Sequence, residues 1–225
     1  MNRFNILKKA LLTICCIAIV FFVGWLCNDN YFLGSITLCF GLVQTVLMLK
    51  GSWIAEVLAL FECMVASLIY WINGLFGTVI FSLLVYIPIG IFNIFSWKKS
   101  EINGVVKINK FSLKTSLITV FSVLLSTVVL TVLLSLIPGQ NYSFLDSLTN
   151  MLNIAGVVLL GLRYKEGWYF WIICNLVEMV TWVLMIIAGA PNSIMMLVIC
   201  AIYIVLDVFG IKAFVKMRTT QEKLL

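Results

Sequence analysis

Eight stretches of this chain are apolar over the length a helix needs to cross a bilayer: residues 10–27, 31–49, 53–71, 74–97, 115–137, 145–162, 168–188 and 193–214. About 20 residues of α-helix traverse the hydrocarbon layer, where every backbone N–H and C=O must be bonded within the protein. The expected fold class is therefore all-α and integral to the membrane, with about eight transmembrane helices. Composition agrees, since only 11% of the residues are charged and 63% are hydrophobic, against roughly 25% charged in an average soluble domain. Arg3, Lys8 and Lys9 ahead of the first run imitate a secretory signal, but no small-x-small cleavage pattern follows, and "GWLCNDN" leads straight into the next run. A retained N-terminal helix is expected.

Lys and Arg are held on the cytoplasmic side of short membrane loops, so their positions test the count of helices. With eight helices and both termini inside, all fifteen Lys and Arg fall in cytoplasmic pieces, and the outer turns "CNDNY", "WINGLFG", "PGQNYSFLD" and "GAPNS" carry none. The charge of +6 is thus spread over helix ends and not gathered on one face, which argues against a nucleic-acid partner. The chain has no histidine, which removes His-ligated metals and His-dependent nucleophiles, and its seven cysteines lie in apolar segments without paired zinc spacing. Their expected role is that of small buried hydrophobes, with Cys27 the one placed for exposure. Neither a GxxxxGK[ST] loop nor a GxGxxG fingerprint occurs. The expectation is a protein that is not an enzyme, holds no cofactor or metal, and does not hydrolyse ATP.

The basic segment "SWKKSEINGVVKINKFSLK" divides the chain, and its expected role is topological. Around it the sequence repeats weakly: "YIPIGIFNIFSW" at 86–97 matches "YIVLDVFGIKAF" at 203–214, Lys50 and Trp53 match Lys165 and Trp168, and Glu62 matches Glu178. The organisation read from this is an N-terminal membrane helix (1–30), a first three-helix repeat (31–97), a basic cytoplasmic loop (98–114), a linker helix (115–137), a second three-helix repeat (138–215) and a cytoplasmic tail (216–225). One helix intervenes, so the two repeats run parallel, an arrangement that places a binding site between them near mid-bilayer.

Acidic side chains are costly inside a bilayer, on the order of 2.5–3.5 kcal/mol each at a helix centre, and must face protein, water or a ligand. Glu56 lies about one turn from the inner surface and is expected to snorkel toward water or Lys50. Glu62, Glu178 and Asp207 lie deeper and are candidates for contact with a small molecule. On the seventh run Trp168, Trp171, Asn175, Glu178 and Trp182 recur at spacings of 3, 4, 3 and 4, one face of a helix. Tryptophan faces stack on flat rings and attract cations, and Asn offers both donor and acceptor. This stripe suits a planar polar ligand such as a nucleoside or vitamin; the alternative is an interfacial belt with Asn and Glu holding helices together.

"RYKEGWYFWIICN" at 163–175 is similar to the R-Y-x-E-x-W-x-x-W-x-x-x-N pattern of the PnuC family of bacterial vitamin transporters, and "LFG...YIP...W" from Leu75 to Trp97, Asp146 and Tyr203 fit it too. The resemblance covers about residues 36–214. It implies a 3+1+3 arrangement like that of SWEET sugar transporters with an extra N-terminal helix, a homotrimer in the bacterial inner membrane, and facilitated diffusion of a substrate that a cytoplasmic kinase traps. It also implies that Trp168, Trp171 and Asn175 bind substrate, with Tyr86 a candidate from the first half. The chain departs from the nicotinamide riboside pattern at Gly90 and Val157, where Gln is usual, and at Thr78 and Ser82, where Asp and Asn are usual. Thiamine, riboflavin and ordinary or deoxy nucleosides stay open as substrates, as do proton coupling through Glu62, Glu178 or Asp207 and a scaffold that transports nothing.

Overall fold

The computed structural model of the chain describes residues 31–102 and 105–222, together with Phe22 and Trp25. The helix expected over 10–27, with Cys15, Cys16 and Cys27, otherwise lies outside the described residues. Seven described helices are long and apolar enough to cross a membrane: α1 (Tyr31–Leu49), α2 (Ile54–Ile72), α3 (Phe76–Lys99), α4 (Leu113–Ser135), α5 (Ser143–Gly161), α6 (Gly167–Ile187) and α7 (Ser193–Glu222). They match the last seven apolar runs of the sequence to within a few residues, except that α7 continues well past 214 and makes the expected tail helical as far as Glu222.

The turns between helices have local causes. Gly51, Gly74, Gly139 and Gly189 take positive φ just beyond helix ends or in the tight connections, conformations that cost other residues 1–2 kcal/mol or so. At Gly74 a side chain would collide with the Gly139 carbonyl and Asn141, so this glycine lets the α2–α3 and α4–α5 connections touch. α3 is not a uniform helix. Pro88 has no N–H to offer the preceding turn, and the backbone widens into a π-turn over Ser82–Tyr86 before resuming as an α-helix over Ile87–Lys99.

Sequence neighbours pack as pairs: α1 on α2, α4 on α5, α5 on α6 and α6 on α7. Contacts between distant parts close the bundle, with α1 on α7 and α3 on α5. α4 rests on α5, and Leu117, Phe121, Leu124 and Val128 on its surface are exposed, as expected of a helix whose other side faces lipid. Glycines set the close approaches: a Cβ at Gly41 would overlap the Tyr203 hydroxyl, one at Gly156 the Trp171 ring, and one at Gly210 the Trp168 ring. Gly34 meets Met195 and Gly41 meets Tyr203, so α1 and α7 run parallel and in step.

Two apolar clusters close the bundle above and below a polar middle. One gathers Leu38, Ile69, Leu75, Trp182, Met185 and Met195 toward the Gly74 and Gly189 turns. The other gathers Met48, Ala55, Trp97, Ile108, Trp168 and Phe214 at the basic end. Ile108 belongs to the loop whose expected role was topological alone. That loop folds back through a short antiparallel ladder pairing Glu101–Ile102 with Val105–Val106, and Asn109 donates its backbone N–H to the Arg163 carbonyl at 3.0 Å and its Nδ2 to the Leu162 carbonyl at 2.8 Å. The loop is therefore built into the fold.

Candidate binding cavity

Between the two clusters lies a cavity of about 200 Å³, lined by α1, α2, α3, α5, α6 and α7. On α2 its lining runs from Glu56 to Tyr70, roughly 20 Å along the helix axis at 1.5 Å per residue. Among the described residues no Lys or Arg lines it, whereas four carboxyl groups do: Glu56, Glu62, Glu178 and Asp207. Each carboxyl is met by a neutral donor. Tyr203 donates its hydroxyl to Glu62, Asn175 Nδ2 donates to Asp207 Oδ2 at 2.9 Å, and Tyr70 donates to Glu178 at 3.3–3.4 Å. Cys200 Sγ also approaches Glu178, at 3.5 Å.

Glu56 departs from expectation. It is 4% exposed and accepts from Asn93 Nδ2 at 3.3 Å, facing the cavity instead of snorkelling toward water or Lys50. The reason is α3, which crosses at this level and places Asn93 beside it.

Six of the eight residues singled out from the sequence come together around this space: Tyr86, Glu62, Trp171, Asn175, Glu178 and Asp207. Trp171 donates Nε1 to Asn153 Oδ1 at 3.0 Å, which fixes its ring against the wall. Tyr86 closes the π-turn and donates to the side-chain and backbone oxygens of Asn150 at 2.9 and 3.0 Å. Trp168 and Trp182 do not line the cavity. Both are 0% exposed: Trp168 stands edge-on to Trp171 and Phe214 in the lower cluster, and Trp182 packs on Tyr70 in the upper one. One helix face runs past more than one neighbour, so a stripe continuous in sequence meets the cavity only along its central two turns.

Other polar groups on the wall escaped the sequence reading. Asn93, Asn150, Asn153, Gln44 and Tyr70 all line the cavity. A single amide in an apolar run costs far less than a carboxylate and stands out little; the signal that was available is the Asn150 and Asn153 pair, three residues apart on one face. Cys63 and Cys174 also reach the wall, Cys174 as a buried member of the apolar cluster between α4, α5 and α6. The four positions of departure from the nicotinamide riboside pattern, Thr78, Ser82, Gly90 and Val157, all line the same cavity.

Asp146 holds the upper rim. Its carboxylate accepts from the backbone N–H groups of Gly77 and Thr78 at 3.0 and 3.1 Å, from Thr78 Oγ1 at 2.6 Å, from Gln140 Nε2 at 2.7 Å and from Asn150 Nδ2 at 2.9 Å. A carboxylate at the first turn of a helix complements the free N–H groups and the helix dipole there. Here the carboxylate comes from α5 and the helix start from α3, so the bond joins the two halves of the chain. At the lower rim Arg163 donates to the Ser96 carbonyl and hydroxyl at 3.3 and 2.8 Å, and partial burial draws its pKa down.

Residues 31–216 match the family model described as nicotinamide mononucleotide transporter. The nicotinamide riboside transporter PnuC of Neisseria mucosa is 25% identical over 189 residues, spanning 81% of this chain and 72% of that protein. In fold, the chain is similar to the crystal structure of the vitamin B3 transporter PnuC, with a TM-score of 0.80 at 22% identity, covering 98% of this chain and 94% of that one.

Proposed function

The chain belongs to the nicotinamide mononucleotide transporter family, and on that premise we propose that it carries a nucleoside-like vitamin or a nucleoside, nicotinamide riboside or a related compound, through the cavity between its halves. It is a membrane transporter and not an enzyme. The observation that carries the substrate class is the cavity itself, where an indole edge, amide groups and carboxyl oxygens converge in a span otherwise apolar. Aromatic and amide groups suit a planar ring with its polar edge, and carboxyl oxygens accept from sugar hydroxyls or stand against a ring cation. Trp171, Asn175, Glu178, Tyr86, Glu62 and Asp207 are the proposed contacts.

Movement is by alternating access and facilitated diffusion, with a cytoplasmic kinase trapping the product. The dry clusters at both ends of the cavity support this reading, since each has to part for the site to open on its side. Trp168, whose indole N–H is buried without a partner beneath the cavity, is the group uncovered when the lower cluster parts. Both termini lie in the cytoplasm of a bacterial inner membrane in this reading, which the distribution of Lys and Arg over the connecting segments supports. Seven spans in two parallel three-helix units joined by α4, assembled as a homotrimer, complete the proposal.

A second reading concerns the cargo only. Because Thr78, Ser82, Gly90 and Val157 all line the wall, and buried hydrogen-bonding groups discriminate strongly between analogues, thiamine, riboflavin or a deoxynucleoside is the alternative to nicotinamide riboside. Proteoliposomes loaded with the matching kinase and ATP are expected to accumulate one of these labelled compounds, with uptake lost in Asn175→Ala and Trp171→Ala protein that remains folded. Failure to take up any nucleoside or B vitamin refutes the proposal. Uptake above equilibrium in vesicles without kinase, under an imposed pH gradient, replaces facilitated diffusion by proton coupling.

A further inference from the structure

Most hydrogen-bond donors on the cavity wall are already committed to the protein. Tyr203 gives its hydrogen to Glu62, Tyr70 to Glu178 and Tyr86 to Asn150, while Trp171 donates its indole N–H to Asn153 and Asn175 its amide to Asp207. A cargo that itself accepts hydrogen bonds finds little here to donate to it.

Gln44 differs. Of the amide side chains on the wall, Asn93, Asn150, Asn153 and Asn175 each bond a protein group, whereas Gln44 bonds none among the described residues. It lines the cavity from the second half of α1 and is 8% exposed. Its Oε1 is sealed away without a donor, and Nε2 is the end that keeps contact with the open space. A membrane amide that only holds helices together bonds a neighbouring helix. An unbonded one, with its N–H groups toward a cavity, is placed to meet a ligand instead.

The packing sets its level. Met48 follows Gln44 by one turn on the same helix face and belongs to the lower apolar cluster, against which Trp171 also packs. Gln44 thus stands about one turn above the floor of the cavity, and Trp171 borders that same floor from α6. The Trp171 N–H is held by Asn153, so this indole offers a ring face and no donor. The N–H groups of Gln44 supply what it lacks.

We infer that Gln44 is a specificity-determining donor, its Nε2 binding an acceptor atom, a carbonyl oxygen or an unprotonated ring nitrogen, on the planar part of the cargo. This rests on the transport reading above and adds to it a group that the stripe on α6 does not contain. A cargo whose ring carries such an acceptor is selected, and one that presents only N–H, O–H or C–H there is rejected.

The test is equilibrium binding to purified full-length protein of labelled nicotinamide riboside, thiamine, riboflavin and the nucleosides. Each is compared with analogues in which one acceptor is removed, a carbonyl becoming a methylene or a ring nitrogen a C–H. Gln44→Met keeps the length of the side chain and removes its N–H groups. For the compound that wild-type protein binds, Gln44→Met is expected to weaken affinity roughly 10- to 100-fold. One acceptor-deleted analogue is expected to bind wild type weaker by a similar factor and to lose nothing further in Gln44→Met. Because the amide bonds nothing in the protein, the thermal midpoint of Gln44→Met is expected to equal or exceed that of wild type. Equal affinity of wild type and Gln44→Met for the parent compound overturns the inference and leaves the transport reading standing. So does an equal penalty for every acceptor deletion in both proteins. A midpoint lowered by several degrees in both Gln44→Met and Gln44→Leu, or failure of both to fold, assigns the amide a structural role and also overturns it. Wild-type protein that binds none of the compounds overturns the transport reading, and this inference with it.

Discussion

Asp146 shows how much one side chain can hold. Five donors from α3, the α4–α5 connection and α5 converge on its two oxygens, and truncation leaves the buried Thr78 backbone N–H without an acceptor and the Gly77 N–H with only Gln140 Oε1 at 3.3 Å. Asp146→Ala is therefore expected to cost about 3 kcal/mol and to lower the thermal midpoint of the detergent-purified protein by several degrees; an unchanged midpoint contradicts this account. At this scale the sequence was informative where burial is costly. The deep acids stand out in an apolar run, and Glu62, Glu178 and Asp207 do line the cavity. Glu56 departs from its expected place because its partner, Asn93, arrives from a helix some forty residues on, and depth along one helix says nothing about what crosses beside it. Gln44 and Asn153 line the cavity without a mark in the sequence, because an uncharged amide costs too little to single out its position.

Helices were legible because a bilayer leaves the backbone no alternative, whereas departures from helix were not. The run at 74–97 reads as one continuous span, yet the structure interrupts it with the π-turn that ends at Tyr86; Pro88 is the available sign. The stripe on α6 was legible as a face, but periodicity fixes direction and not what stands opposite at each level, which is why Trp168 and Trp182 end in packing clusters. The loop after α3 was the least legible element. Its basic composition reads as topology, while a single apolar residue, Ile108, ties it to the bundle. Ile108→Ala removes about 2 kcal/mol of that attachment, so tryptic cleavage at Lys107 and Lys110 is expected to accelerate tenfold or more in right-side-in vesicles permeabilised to protease. Cleavage at the wild-type rate would show that the loop is held by its hydrogen bonds alone.

For the molecule as a whole, the distribution of fifteen basic residues makes a directional statement that fusions can check. Fluorescent protein attached after Leu225 is expected to mature in the cytoplasm, and alkaline phosphatase inserted at Gly139 to be active outside; the reverse pattern would invert the topology. The close fit of α1 to α7 makes a second. Gly41→Val forces a side chain into the Tyr203 hydroxyl and the Glu62 carboxyl, so uptake is expected to be abolished together with a lowered melting midpoint, while Gly189→Ala, with open space around it, is expected to cost only about 1 kcal/mol through its positive φ. The acid and phenol pairs carry a further consequence. Glu62 and Glu178 match in the sequence repeat, and so do Tyr86 and Tyr203, yet Glu62 is served by Tyr203 while Glu178 is served by Tyr70. The two partnerships are therefore not symmetric, and the halves are not interchangeable parts: a chain assembled from two copies of the second half would lack the Tyr70 that serves Glu178.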